Sequence, residues 1–232
     1  MILRKWDDMP EFMKCEEVRA YYDILSSRKV SIFIKRVFDV LVSVFLLALL
    51  AIPMLIIALL IKLDSPGTVM FRQERVTTCG KHFYIHKFRT MVSNAENIGS
   101  GVTTKDDKRI TRIGSKLRDL RVDELPQLID VLVGDMSFVG TRPESVKYVE
   151  RYTKPMYATL LLPAGITSEA SIRYKDESNL LDAADDVDYV YTHDVLPKKM
   201  QYNLQSIREF SFAHDIVTMV RTVFAVCGKN YD

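Results

Sequence analysis

The sequence predicts a mainly α-helical chain with a small β element: an apolar membrane helix joined to one cytosolic domain. Three observations lead there. The run from Val37 to Ile61, VFDVLVSVFLLALLAIPMLIIALLI, carries a single charge, Asp39. Apolar residues then recur at helical spacing over Gly114 to Leu132 and over Pro197 to Val226. Two short β-prone stretches, Val69 to Arg72 and His82 to His86, lie between them around the turn at Thr77-Thr78-Cys79-Gly80.

As one straight helix the apolar run would reach ~37 Å, enough to cross a hydrocarbon core of about 30 Å. Pro53 sits in its middle, where it removes a helix hydrogen bond and crowds the preceding turn. Lys35 and Arg36 flank one end and Lys62 the other, so the positive-inside rule gives no clear orientation. A plain span and a helix broken at Pro53 that returns to the same face both remain open. The broken form needs partners for the freed carbonyls, for which Ser43 is a candidate. Asp39 reads as a buried partner for Arg36 or Lys35.

Before this run, Met1 to Ser31 mixes charge with aromatics and reads as one or two short helices near the membrane surface. After it, Asp64-Ser65-Pro66-Gly67-Thr68 is a turn. The Gly114 to Leu132 pattern breaks near Val122. Ser145 to Thr153 reads as a short helix, Pro163 to Ser171 as a loop, and Asp182 to His193 as helix.

The 232 residues suffice for one domain plus an anchor. At 48% hydrophobic and 27% charged the chain is neither disordered nor polytopic, and a net charge of +2 is too mild for nucleic-acid binding. Cys15, Cys79 and Cys227 are odd in number and scattered, which excludes a disulfide framework and a cysteine zinc site.

The stretch Arg118-Asp119-Leu120-Arg121-Val122-Asp123-Glu124-Leu125-Pro126-Gln127 concentrates the chemistry. Proline is tolerated in a first helical turn, so Pro126 places a helix start near Asp123. Asp123 and Glu124 then sit by unpaired N–H groups and the positive dipole end. Ordinary capping explains such a pattern. So does a phosphate and metal site, with acids that bind Mg²⁺ or attack phosphorus and arginines that hold oxygens. Two basic clusters favour the second reading. One is Lys87-Phe88-Arg89-Thr90-Met91. The other runs from Gly134 to Glu144, with Arg142 as a forked donor and Gly134 and Gly140 allowing close approach of a ligand.

Taken in order, several motifs carry a family resemblance. They are Lys35-Arg36-Val37-Phe38-Asp39, the proline-broken apolar helix, Asp64-Ser65-Pro66-Gly67 with Phe71-Arg72-Gln73, Lys87-Phe88-Arg89-Thr90-Met91, Asp123-Glu124-Leu125-Pro126-Gln127-Leu128, and Gly134-Asp135-Met136-Ser137-Phe138-Val139-Gly140. In these the chain resembles the monotopic phosphoglycosyl transferases, the bacterial sugar transferase family. The resemblance implies a re-entrant helix broken at Pro53 over residues 35–63. An amphipathic extension precedes it over 1–34, and a catalytic domain with membrane-surface helices follows over 64–232, on the cytoplasmic face of the bacterial inner membrane. It implies transfer of a sugar-1-phosphate from a UDP-sugar to undecaprenyl phosphate, with Asp123 as nucleophile and Glu124 assisting. Mg²⁺ is the implied cofactor, bound near Asp123, and Lys87, Arg89, Arg118 and Arg142 are the implied phosphate clamps. The implied partners are the UDP-sugar, undecaprenyl phosphate and membrane lipid, with a homodimer admitted.

The chain departs from the family pattern at Thr141, at Pro163-Ala164-Gly165-Ile166-Thr167 and at Ser168-Glu169-Ala170-Ser171. These departures leave sugar identity open. Three rival readings are a non-catalytic membrane-anchored adaptor, a glycosyl transferase that releases UDP, and a lipid-head-group transferase using CDP-alcohols, whose denser acidic motif on membrane helices one apolar segment cannot build.

Overall fold

The computed structural model describes residues 3–93, 95, 107–174 and 186–226. It is mostly helical, with two small two-stranded sheets. Helix α1 spans Glu16–Ser26 and α2 spans Lys29–Asp64. The hairpin strands are β1 (Met70–Val76) and β2 (His82–Phe88). Helices α3 (Arg112–Asp119) and α4 (Gln127–Val133) follow, with a 3₁₀ turn at Val122–Glu124 between them. Then come β3 (Met136–Val139), α5 (Val146–Val149), a 3₁₀ segment at Lys154–Leu160, β4 (Ala164–Thr167) and α6 (Glu169–Arg173). The C-terminal part holds α7 (Val187–Val190), a π turn at Tyr191–Val195, α8 (Leu196–Arg208) and α9 (Phe212–Val226).

Helix α2 is the one helix among the described residues that is long and apolar enough to cross a membrane, and 6% of its most apolar window is buried. Leu41, Phe45, Leu49, Ile52, Leu55 and Leu59 point away from protein. An apolar surface of this extent has lipid as its solvent, which makes the chain membrane-associated. The helix runs past the apolar stretch at both ends and continues through Pro53. Ser43 donates to the Val40 carbonyl at 3.0 Å, a turn within its own segment and far from Pro53, so it does not serve the carbonyls that the proline frees.

Both ends of α2 are anchored on the same domain. At the first end Lys35 Nζ donates to Asp215 at 2.6 Å and to the Val139 carbonyl at 2.8 Å. Arg36 donates to the carbonyls of Val131 and Leu132, at the end of α4. Asp39, 1% exposed, accepts from Ser137 Oγ at 2.8 Å and from the Phe138 amide. Asp39 therefore pairs with β3 rather than with Arg36 or Lys35, because the intervening turn of helix already commits both cations elsewhere. At the other end Arg89 donates to the carbonyls of Ser65 at 2.7 Å and Pro66 at 2.9 Å, and to Ile61 at 3.4 Å. These are carbonyls that a helix C-terminus and its following turn leave unpaired. Gly67 turns the chain there at φ +126°, and a Cβ on it would meet Arg89 Nη1 at 2.1 Å.

The N-terminal segment forms short helices that pack one face into the domain. Met9, Met13, Val18, Tyr21 and Leu25 are buried in one core with Val76, Leu160, Leu161, Ile207 and Phe210. The hairpin pairs antiparallel from Met70↔Phe88 to Val76↔His82, longer than its β-prone stretches. Strands β3 and β4 pair in parallel. The Pro163 to Ser171 loop is thus strand β4 plus the start of α6, with Ser168 as its N-cap. Four-residue strands carry too little periodicity to be read from sequence. Glu209 and Phe210 split the predicted C-terminal helix into α8 and α9. Cys15 and Cys79 are free thiols, and Cys227 and residues 182–185 of the predicted Asp182 to His193 helix lie outside the described residues.

Lys35→Met leaves Asp215 buried without its cation and is expected to destabilise the fold by about 3 kcal/mol or more. The double variant Lys35→Met, Asp215→Leu is expected to recover most of that loss. Thermal unfolding in detergent checks both; equal melting of the parent and the single variant would refute the anchoring role.

Candidate active site

The acidic pair lies in the 3₁₀ turn Val122–Glu124 and not in the first turn of α4, whose N-cap is Pro126 itself. Proline fixes φ, here −62°, and has no N–H to place, so α4 starts just after it. Arg121 precedes the turn in the left-handed region at φ 57°. That conformation is costly for a residue with a Cβ and is stored at the entrance to the pair. Val122 and Leu125, on either side of the acids, pack on Ile61, Phe88 and Leu117, as do Met54, Ile57 and Ala58 of α2. The acids thus stand directly on the exit of the membrane helix.

Four cations were expected at this place, and the structure brings three of them to it. Lys87 Nζ donates to Glu124 Oε1 at 2.8 Å, and Arg142 Nη2 donates to the same oxygen at 2.6 Å. Arg142 Nη1 reaches Glu124 Oε2 at 3.4 Å. Arg118 lies close enough to favour the ionised form of Asp123. Arg89 is the correction. Its guanidinium is buried on the carbonyls that end α2, where it caps the helix and does not face the acids. Strand β2 ends at Phe88, so Arg89 lies past the ladder, and its side chain follows the turn at Ser65 and Pro66 and not the face that carries Lys87.

The two carboxylates are unlike each other. Burial alone would raise the pKa of Glu124, but Arg142 and Lys87 overcome it and hold the group well below the usual glutamate range. Burial and the neighbouring Glu124 charge raise the pKa of Asp123, with Lys87 and Arg118 pulling the other way. Burial lowers Lys87, which Glu124 opposes. No side-chain hydrogen bond or ion pair engages the Asp123 carboxylate among the described residues. One acid is clamped and the other is free, which is the arrangement that separates a structural carboxylate from a reactive one.

Among the described residues no three of His, Cys, Asp and Glu converge as a metal cage. Of the two acids, Asp123 would be the one to hold a Mg²⁺ that takes its remaining ligands from phosphate and water, the usual habit of that ion, because Glu124 is occupied by Lys87 and Arg142.

The glycines expected to admit a ligand serve the fold instead. Gly134 is the left-handed cap of α4, beside Arg36, and Gly140 abuts the backbone of Pro163 and Gly165. Thr141 follows, and its carbonyl accepts from the Gly165 amide at 2.9 Å. Behind Arg142 and Pro143 lies a buried network that sequence reasoning missed: Glu144 accepts from Tyr191 Oη at 2.7 Å, and Lys199 Nζ donates to the same hydroxyl at 3.2 Å. Its members come from distant segments, and only the charge of Glu144 beside Arg142 hinted at it.

The family model described as bacterial sugar transferase matches residues 30–229. The chain belongs to that family. It is 37% identical over 195 residues to the UDP-N-acetylgalactosamine-undecaprenyl-phosphate N-acetylgalactosaminephosphotransferase of Aeromonas hydrophila, covering 82% of this chain and 43% of that protein. It is 35% identical over 195 residues to the UDP-glucose:undecaprenyl-phosphate glucose-1-phosphate transferase of Escherichia coli K12, covering 82% of this chain and 39% of that protein. A UDP-glucose:undecaprenyl-phosphate glucose-1-phosphate transferase of Caulobacter vibrioides is 35% identical over 192 residues, covering 82% of this chain and 68% of that one. The chain therefore spans about two fifths of the length of the first two of these relatives.

Glu124→Gln removes the like charge beside Asp123 and frees two cations, so the Asp123 titration is expected to move to lower pH. The carbon-13 shift of the Asp123 carboxyl, followed against pH, checks it; an unmoved or higher midpoint would contradict the coupling. The lowered pKa of Glu124 also makes its contribution to stability complete above the ordinary glutamate range, about 4.3. That contribution is lost only as pH falls through the lower folded value.

Proposed function

We propose that this chain transfers a sugar-1-phosphate from a UDP-sugar to a polyprenyl phosphate through a covalent intermediate on Asp123. The observation that carries the reading is the Asp123 carboxylate, which accepts no side-chain hydrogen bond among the described residues and lies beside Lys87 and Arg118, while Lys87 and Arg142 both donate to Glu124. The activities of the relatives, which act on UDP-sugars and undecaprenyl phosphate, support it.

In the first half-reaction an Asp123 oxygen attacks the β-phosphorus. The bond from that phosphorus to the bridging oxygen breaks, its electron pair leaves with UMP, and an acyl-phosphate to the sugar forms. A carboxylate needs no deprotonation to do this above its pKa. Lys87, Arg118 and Arg142 hold phosphoryl oxygens, whose charge grows as the bond breaks. In the second half-reaction a polyprenyl phosphate oxygen attacks the same phosphorus and Asp123 departs. Mg²⁺, when bound at the acidic pair, supplies charge neutralisation for the diphosphate.

The re-entrant path belongs to the same proposal. Lys35, Arg36 and Asp39 at one end of α2 and Asp64 and Arg89 at the other all contact one domain. A helix of this length, about 54 Å if straight, reaches one domain with both ends most simply by bending at Pro53 within lipid. The catalytic domain then meets soluble nucleotide-sugar on the cytoplasmic face and lipid phosphate at the membrane surface. The adaptor reading leaves the clamped and free acids without a purpose. The altered loop bears on sugar identity: Ser168 caps α6, and Glu169 pairs with Arg173 at 2.9 Å and Arg221 at 2.8 Å.

Detergent-solubilised parent is expected to release UMP from one of a panel of UDP-sugars with Mg²⁺ and undecaprenyl phosphate, and Asp123→Asn is expected to release none. Release of UDP would assign the chain to the glycosyl transferases. UMP release that survives in Asp123→Asn would remove Asp123 from the chemistry. The raised pKa of Asp123 gives the rate an acid limb above the ordinary aspartate range, about 3.9; a rate flat down to that range would argue against it.

A further inference from the structure

Arg75 stands on β1, and the hairpin register decides where it points. Phe71 pairs with Lys87, Gln73 with Ile85 and Arg75 with Phe83. Side chains alternate along a strand, so these six residues share one face. On that face Phe83 and Ile85 pack against Val131 and Met136, and Lys87 reaches Glu124. Arg75 is a second cation carried inward by the same face.

Its guanidinium is partly buried and held by neutral oxygens only. Nη2 donates to Gln73 Oε1 at 2.5 Å, and Nη1 to the Pro143 carbonyl at 3.5 Å. Among the described residues Arg75 forms no salt bridge. The carboxylate that acts on it from nearby is Glu144, whose Oε1 is already taken by Tyr191 and lies 3.7 Å from Lys199 Nζ. Arg142, the residue before Pro143, acts on Arg75 as a like charge. A guanidinium with reduced access to water, no carboxylate of its own and a second guanidinium beside it is stabilised by an anion placed between the two.

The cations are linked through shared neighbours. Arg118 and Lys87 act on Asp123, Arg142 grips Glu124, and Arg75 bonds the carbonyl of Pro143, the next residue. A diphosphate whose β-phosphorus meets Asp123 has a second phosphate to place, and Arg75 is the further cation beside Arg142.

We propose that Arg75, with its fork fixed by Gln73 and the Pro143 carbonyl, binds the phosphate that leaves with the nucleotide. The assignment rests on the phosphosugar-transfer reading above and adds a residue to it. Arg75 forms and breaks no bond. It holds the oxygens that gain charge as the bridging electron pair departs with UMP.

The test is titration of the full chain in detergent and Mg²⁺ with UMP, followed by calorimetry, with thermal melting of the same samples. Arg75→Gln is expected to weaken UMP binding about tenfold or more with its melting temperature kept. Arg75→Lys is expected to fall between, because it retains charge without the fork. Arg72→Gln, on the opposite face of the hairpin, is expected to bind as the parent does. Unchanged UMP affinity in Arg75→Gln would overturn the assignment and leave the role of Asp123 standing. Loss of binding in both Arg75 variants together with a lowered melting temperature would make Arg75 a structural residue and overturn it as well. A parent that binds no UMP would overturn this assignment and the transfer reading together.

Discussion

The lipid-facing flank of α2 gains nothing from protein, and the helix is held to the domain by buried hydrogen bonds at both ends. Its register comes from those polar contacts together with the packing of Phe38 on Phe138 and Phe212 and of Met54, Ile57, Ala58 and Ile61 on Phe88 and Leu117. Lys35 and Asp39 fix one end on β3 and α9. Arg89 fixes the other by taking the carbonyls that the helix leaves unpaired. Such bonds are worth more here than at a surface, because breaking one leaves a buried charge or carbonyl unsatisfied.

The site inherits its position from that attachment. Arg89 lies two residues after Lys87, just past the end of β2, so the residue that binds the end of the membrane helix also holds the strand that delivers a cation to Glu124. Val122 and Leu125 bracket the acidic pair and pack against the last turns of α2 and Phe88. The acidic pair is in this way tied to the element that meets lipid. Within the pair, Arg142 and Lys87 saturate Glu124 and leave Asp123 with burial and a like charge. Neighbouring carboxylates come to differ in pKa because one of them has captured the cations.

Much of this was legible in the sequence where the signal is local. The apolar run, the hairpin, the acidic pair and the breaks around it each span a few adjacent residues, and the family resemblance joined them. Lys87 and Arg142 were legible as cations but not as partners of one carboxylate. Arg89 was misread because a basic cluster gives no sign of which member faces inward. Gly140 was misread for a similar reason: a close approach was correctly inferred, but the approaching group is the backbone at Gly165 and not a ligand. The short N-terminal helices were legible, but not that Met13, Val18 and Leu25 would be buried against the domain.

The sequence by itself determined what must be apolar, where the main helices and the hairpin lie, and which residue types can carry phosphate chemistry. Hydropathy, proline and helix spacing act over a few residues and need no distant partner. Only the tertiary structure decided which charges meet. Lys35 finds Asp215 and Glu144 finds Tyr191 across long stretches of chain. The choice of partner among several cations of equal charge depends on strand face and on burial, which exist only once the chain is folded.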